Sequence, residues 1–189
     1  MSYPRSESKR QSAFYPGAGT DVSPLAMFRE IKEWIYTDSQ PNSEFGDLKF
    51  NGCNRPRFIG LLTQNMKQND FELKSINGDT YTFYNKEYEQ QVIYETNSVF
   101  PRDVQQRHYD CDSFVMCGFD MEDHTIDFIN RFKHIITNNR TCFELDAEQL
   151  LSSKKVSKMV YDDNWEYWES KNEVPHLIQQ HVRVKQTMN

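Results

Sequence analysis

The chain has 189 residues, the length of one domain on the usual scale of about 100–200 residues, and long enough to bury a substantial core. Lys and Arg number 22 against 28 Asp and Glu, a net charge of -6, so the charge does not point to a nucleic-acid partner. No apolar run approaches the roughly 20 residues of a membrane helix, and the opening MSYPRSESKRQSAF lacks the apolar stretch of a secretory leader, which argues for a soluble, intracellular, cytoplasmic protein.

Residues 1–11 are polar and read as a disordered lead-in. Residues 12–151 read as the folded domain, and residues 152–189 as a charged, partly helical extension carrying Trp165, Tyr167 and Trp168. Within the domain, Ala13-Phe14-Tyr15 is a buried strand that runs into the loop Pro16-Gly17-Ala18-Gly19. Thr20, Asp21 and Ser23 are N-cap residue types, Pro24 suits a first helical turn, and Leu25, Phe28 and Ile31 share a helical face. Glu33 to Thr37 is a second strand ending at Asp38, so 13–38 predicts a compact βαβ unit. Residues 39–55 read as loop. A helix follows over about 57–68, with Ile59, Leu62 and Met66 on one side. The Asn77-Gly78-Asp79 turn predicts an antiparallel hairpin over 71–85, and 91–96 a further strand. Residues 112–117 read as a central strand before Gly118. Ile126, Ile129, Phe132 and Ile136 predict an amphipathic helix over 122–137, stopped by Asn138-Asn139. Residues 141–145 predict a last parallel-type strand.

Strands alternating with helices predict an α/β fold: three-layer and Rossmann-like, with a mainly parallel sheet, helices on both faces and a β-hairpin insertion. The core should rest on aromatic side chains, since the chain has 13 Phe and 10 Tyr. Cys53, Cys111, Cys117 and Cys142 form no CxxC pair, and the spacing of His108, Cys111 and Cys117 fits no metal site, so no metal is expected. Cys117 reads as a buried core thiol.

In an open α/β sheet the ligand sits at the carboxyl ends of the strands. Three segments meet that requirement. Gly17, Ala18, Gly19, Thr20 and Asp21 form a loop whose glycines let backbone approach a ligand, with a helix N-terminus behind it. Asp38 ends the second strand, where a carboxylate accepts hydrogen bonds from ribose hydroxyls. Gly118, with Phe119 and Asp120, ends the fourth strand. His124 is the one histidine placed for acid–base work near that edge. Arg102 and Asp103 either border the ligand or form a surface ion pair. No general base stands out, so the catalytic residues stay open.

The ordered segments FYPGAGTD, YTDS and YDCDSFVMCGF resemble the motifs of the class I, Rossmann-like S-adenosylmethionine-dependent methyltransferases. The resemblance spans residues 13–145. In that family a Gly-rich loop follows the first strand, here Gly17 and Gly19. An acidic residue ends the second, here Asp38. An Asp-led apolar strand comes fourth, here Asp110 or Asp112 leading into Phe114. The resemblance implies a nucleotide or adenosine-type cofactor, S-adenosylmethionine, held by Gly17, Ala18, Gly19, Thr20, Asp21, Asp38 and Gly118. The Asn-rich, Lys-containing composition is similar to that of proteins from AT-rich genomes such as those of large DNA viruses. Two features depart from the family pattern. Tyr15-Pro16 precedes Gly17 where the family carries an acidic residue, and Cys-Gly-Phe-Asp follows the fourth strand where base-methylating members carry Asn/Asp-Pro-Pro-Tyr/Phe. Two alternatives follow: a non-catalytic module with a protein partner on a degenerate fold of this type, or a metal-dependent phosphate-handling enzyme using Asp21 and Asp120.

Overall fold

A computed structural model describes residues 11–39, 55–116, 131–138, 154–159 and 165–170. The chain divides into two compact units, Met1–Val104 and Gln105–Asn189. Among the described residues it is an α/β protein built on mixed parallel and antiparallel strands. No helix among them is long and apolar enough to cross a membrane.

The first unit contains β1 (Ser12–Pro16), α1 (Ser23–Met27), β2 (Glu33–Thr37), α2 (Arg55–Gln68), β3 (Glu72–Asn77), β4 (Thr80–Asn85) and β5 (Gln90–Glu95). Its strands lie in the order β3-β4-β5-β2-β1. β1 pairs with β2 and β2 with β5 in parallel, so Pro16, Thr37 and Glu95 stand side by side at one carboxyl edge. β4 runs antiparallel to both β3 and β5. The hairpin expected from Asn77-Gly78-Asp79 forms, with Gly78 at φ 63°, backbone that glycine adopts without a Cβ clash.

Register explains the aromatic composition. Tyr15 stands opposite Tyr36, Tyr36 opposite Tyr94, and Tyr94 opposite Tyr81, a row of four tyrosines across four neighbouring strands. Alternation places the next row, Ala13, Trp34, Val92 and Phe83, on the same face. All eight side chains are buried. The rings meet edge-on or tilted, with centroids 4.9 Å apart for Tyr15 and Tyr36 and 5.5 Å for Tyr36 and Tyr94, the geometries that aromatic quadrupoles favour. Helix α2 adds Phe58 against Tyr94 at 6.1 Å.

The buried stripe of α2 is Phe58, Leu62 and Met66, spaced i, i+4, i+8. Ile59, expected on that face, is half-buried instead. The helix ends in a Schellman turn. Asp70 takes φ 67°, its N–H donates to the Lys67 carbonyl, and the Phe71 N–H donates to the Met66 carbonyl. Helix α1 is a single turn. Leu25, Phe28 and Ile31 are buried as expected, but the helix stops at Met27, and Phe28 and Ile31 pack from the turn beyond it. Gln90 stabilises that turn: its buried Nε2 donates to the carbonyls of Leu25, Phe28 and Ile31 at 3.1, 3.3 and 3.1 Å.

Strand β3 is exposed along its whole length. Leu73 and Ile76 are 37% and 58% exposed. Lys74 and a register shift between Leu73 and Ser75 supply the charge and irregularity that keep such an edge from pairing with another chain.

The second unit contains α3 (Gln106–Tyr109), β6 (Ser113–Met116), β7 (His134–Asn138), β8 (Lys154–Met159) and β9 (Trp165–Ser170), with strands in the order β6-β7-β9-β8. β6 and β7 are parallel. β9 runs antiparallel to both β7 and β8. Here the structure corrects two expectations. Residues 134–138 form a strand, not the end of an amphipathic helix. Ile135, Ile136 and Thr137 are β-branched and buried in succession, as in a strand covered on both faces, and Ile136 matched the helical spacing by coincidence. The described part of the C-terminal extension is β-stranded rather than helical, with Trp168 opposite Ile135 and Tyr167 opposite Ile136. Phe114 stacks on Phe132 at 5.0 Å, and Arg131 lies over the Tyr109 ring at 4.1 Å. All but the last residue of the expected lead-in over 1–11, most of the loop over 39–55, most of the helix over 122–137, and the strand over 141–145 lie outside the described residues.

Candidate functional site at the carboxyl edge of the parallel strands

The loop after β1 is held at the carboxyl edge of β1, β2 and β5 by a chain of hydrogen bonds. The Ala18 N–H donates to the Thr37 carbonyl at 3.1 Å. The Gly19 N–H donates to Asp38 Oδ2 at 2.7 Å. The Tyr94 hydroxyl donates to the Gly19 carbonyl. Asn65 Nδ2, from α2, donates to the Thr20 carbonyl at 2.9 Å. Gly17 and Gly19 take φ 64° and 57°, the left-handed region that side chains with a Cβ resist. This is the conformational reason for glycine at both positions.

Asp38 is 2% exposed. Its backbone is fixed as well, since its N–H donates to the Glu95 carbonyl and its carbonyl accepts from the Ser98 N–H. The carboxylate is therefore beside the Gly loop, as the sequence predicts, and serves as the loop's acceptor. Asp21 is committed to local structure. Its Oδ2 accepts from the Tyr15 hydroxyl at 2.7 Å, and its Oδ1 accepts from the N–H and hydroxyl of Ser23 at 2.9 and 2.7 Å. The N-cap expected at Thr20, Asp21 or Ser23 is instead Val22, with no side-chain cap bond. Asp21 makes the i to i+2 turn that short acidic side chains favour. One helical turn offers no N-terminal anion site.

Burial, first, and then the neighbouring Asp38, Tyr36 and Asp21 push the Tyr94 phenol well above its ordinary value. It keeps its proton and stays a donor to Gly19. Sequence reasoning missed Tyr94, Tyr15 and Asn65. Tyr94 and Tyr15 carried only an apolar signal, and their hydroxyl partners became visible once register placed the tyrosine row under the loop.

Arg102 and Asp103 form an exposed ion pair at 2.9 Å. The Arg102 side chain first, then the Val99 N–H, hold the Asp103 carboxyl below its ordinary value. Exposed pairs of this kind contribute little stability. His108 is buried and its Nδ1 accepts from the Gln105 N–H at 2.8 Å, closing a capping box on α3. Cys111 is a buried thiol whose Sγ lies 3.9 Å from the Arg107 carbonyl. Gly118, Phe119, Asp120, His124, Cys53, Cys117 and Cys142 lie outside the described residues.

No protein-family model matches the chain, and no curated protein matches it in sequence.

Proposed function

We propose that the protein binds an adenosine-type ligand, with S-adenosylmethionine the first candidate, at the carboxyl edge of β1, β2 and β5, as a divergent methyltransferase-like domain. The observation that carries this reading is the pairing of a strand-end carboxylate with a Gly loop: Asp38 Oδ2 and the Gly19 amide lie 2.7 Å apart beside three parallel strand ends. Strand order supports it further. With the hairpin β3–β4 set aside as an insertion, the parallel strands of the first unit read third-second-first, one half of a doubly wound sheet. The second unit reads fourth-fifth-seventh-sixth, with the seventh strand reversed. Each unit, taken by itself, has the strand order expected of the corresponding half of a methyltransferase-like sheet. A three-layer arrangement with helices on both faces, and a cytoplasmic setting, belong to the same proposal.

In this reading Asp38 takes the ribose hydroxyls once its bond to Gly19 is released, and the Gly17 and Gly19 backbone lines the approach. The bound cofactor supplies the transferable group, and the protein supplies orientation. A second reading, a non-catalytic module with a protein partner, is favoured by one observation: the carboxylate is buried and already bonded to the loop. The phosphate-handling alternative is weakened at Asp21, whose oxygens are taken by Tyr15 and Ser23.

A thermal-shift panel separates the readings, because a ligand that binds only the native state raises apparent stability. S-adenosylmethionine, S-adenosylhomocysteine, ATP, NAD and ADP-ribose are tested with and without magnesium. The expected result is a magnesium-independent shift with the first two. A magnesium-dependent shift with ATP favours phosphate handling, and no shift with any favours the non-catalytic module.

A further inference from the structure

We propose that the 17–21 loop is a latch: the Gly19 peptide group occupies Asp38 in place of a ligand hydroxyl, and it must leave before a ligand binds. This rests on the binding reading above and adds its regulation. Two consecutive residues are tied by three side chains from three parts of the first unit. Asp38, after β2, takes the Gly19 N–H. Tyr94, on β5, donates to the Gly19 carbonyl. Asn65, on α2, donates to the Thr20 carbonyl.

A ribose hydroxyl and an amide N–H are both donors to a carboxylate, so a hydroxyl aimed at Asp38 Oδ2 competes with the Gly19 N–H that holds that oxygen. Asp38 is 2% exposed and the Gly19 peptide is bonded to it, so an outside ligand reaches the carboxylate only when its surroundings open, the Gly19 contact among them. Glycine makes the opening feasible, because it leaves the left-handed region as readily as it enters it. The latch has a quantitative consequence. Apparent affinity is the intrinsic affinity reduced by the fraction of molecules that are open. Loosening the latch at a residue that does not meet the ligand therefore tightens binding. Tyr94 and Asn65 are such residues in this scheme, whereas Asp38 serves both the latch and the ligand.

The test uses the full chain, with amide exchange at Gly19 followed by NMR and S-adenosylhomocysteine binding followed by calorimetry. Tyr94→Phe keeps the ring and removes the donor. Asn65→Ala is the milder variant, on a half-buried helical position that alanine suits. Each is expected to speed Gly19 exchange about fivefold, the effect of one net hydrogen bond, and to tighten S-adenosylhomocysteine binding by the same factor. Unchanged Gly19 exchange in both variants overturns the latch whatever binds. Faster exchange with unchanged or weaker binding also overturns it, while leaving the binding reading intact. Faster exchange with no binding to wild type or variant removes the binding reading, and the latch as a regulator falls with it.

Discussion

Tyr94 joins the aromatic core to the loop. Its ring packs against Tyr36 and Phe58, and its hydroxyl reaches the Gly19 carbonyl. Burial raises its proton affinity, so the sign of its pH effect follows from linkage. Below the ordinary value of 10.0 the phenol is neutral in folded and unfolded chains alike, and the fold keeps its full stability. Above that value the unfolded chain loses the proton first, and stability falls until the folded value is reached. Urea unfolding of wild type and Tyr94→Phe from neutral to strongly alkaline pH is expected to show a smaller alkaline loss in the variant. Parallel losses in the two proteins would mean that Tyr94 ionises freely in the fold. Asp38 illustrates what a sequence reveals at this scale. Its place at a strand end was legible from the apolar run before it, but its burial was not, because burial depends on the path of the loop above.

Among the elements, the α1-to-β2 connection depends on a residue far away in the chain. Gln90 begins β5, yet its amide bonds three carbonyls between Leu25 and Ile31, and its Oε1 accepts from Arg29 at 3.1 Å. Gln90→Leu preserves much of the volume and leaves those buried carbonyls without that donor. The expected loss is about 1–3 kcal/mol, read as a lower urea midpoint at unchanged slope. A loss within error would show that water replaces the amide. The strand–loop–strand course of 13–38 and the hairpin over 71–85 were legible because each is written in a local pattern, an apolar run with a Gly-rich or Asn-Gly break. β7 was not legible. Its Ile135-Ile136-Thr137 run is buried on both faces, so it lacks the alternation that marks a half-buried strand and falls into step with a helix. The C-terminal strands were missed for a related reason: KKVSKM and WEYWES carry the charges of a surface segment, and β9 joins the sheet through β7, a strand well before it in the sequence.

At the scale of the whole molecule, the largest fully buried side chains of the first unit include Tyr15, Tyr36 and Tyr94 of the tyrosine row and Phe58 of the helix packed against it. Phe58 is fully buried and is the α2 ring that meets Tyr94. Phe58→Ala is expected to lose about 3–5 kcal/mol, a large share of the roughly 5–15 kcal/mol that holds a typical domain. Chemical denaturation measures it, and a loss under about 1 kcal/mol would mean that α2 repacks without its anchor. The α/β class was legible from alternating strands and helices, whereas the order of the strands was not, since order is set by pairings between residues dozens of positions apart. The same row has an optical consequence. Trp34 lies 6.2 Å from Tyr36, and Tyr36 touches both Tyr15 and Tyr94, so four chromophores are fixed in one chiral array. Such an array gives a near-ultraviolet circular dichroism signal that survives only while tertiary packing does. Because the hydroxyl at one end of the array is bonded to Gly19, a change in that spectrum on adding a ligand would report the loop's release without any label.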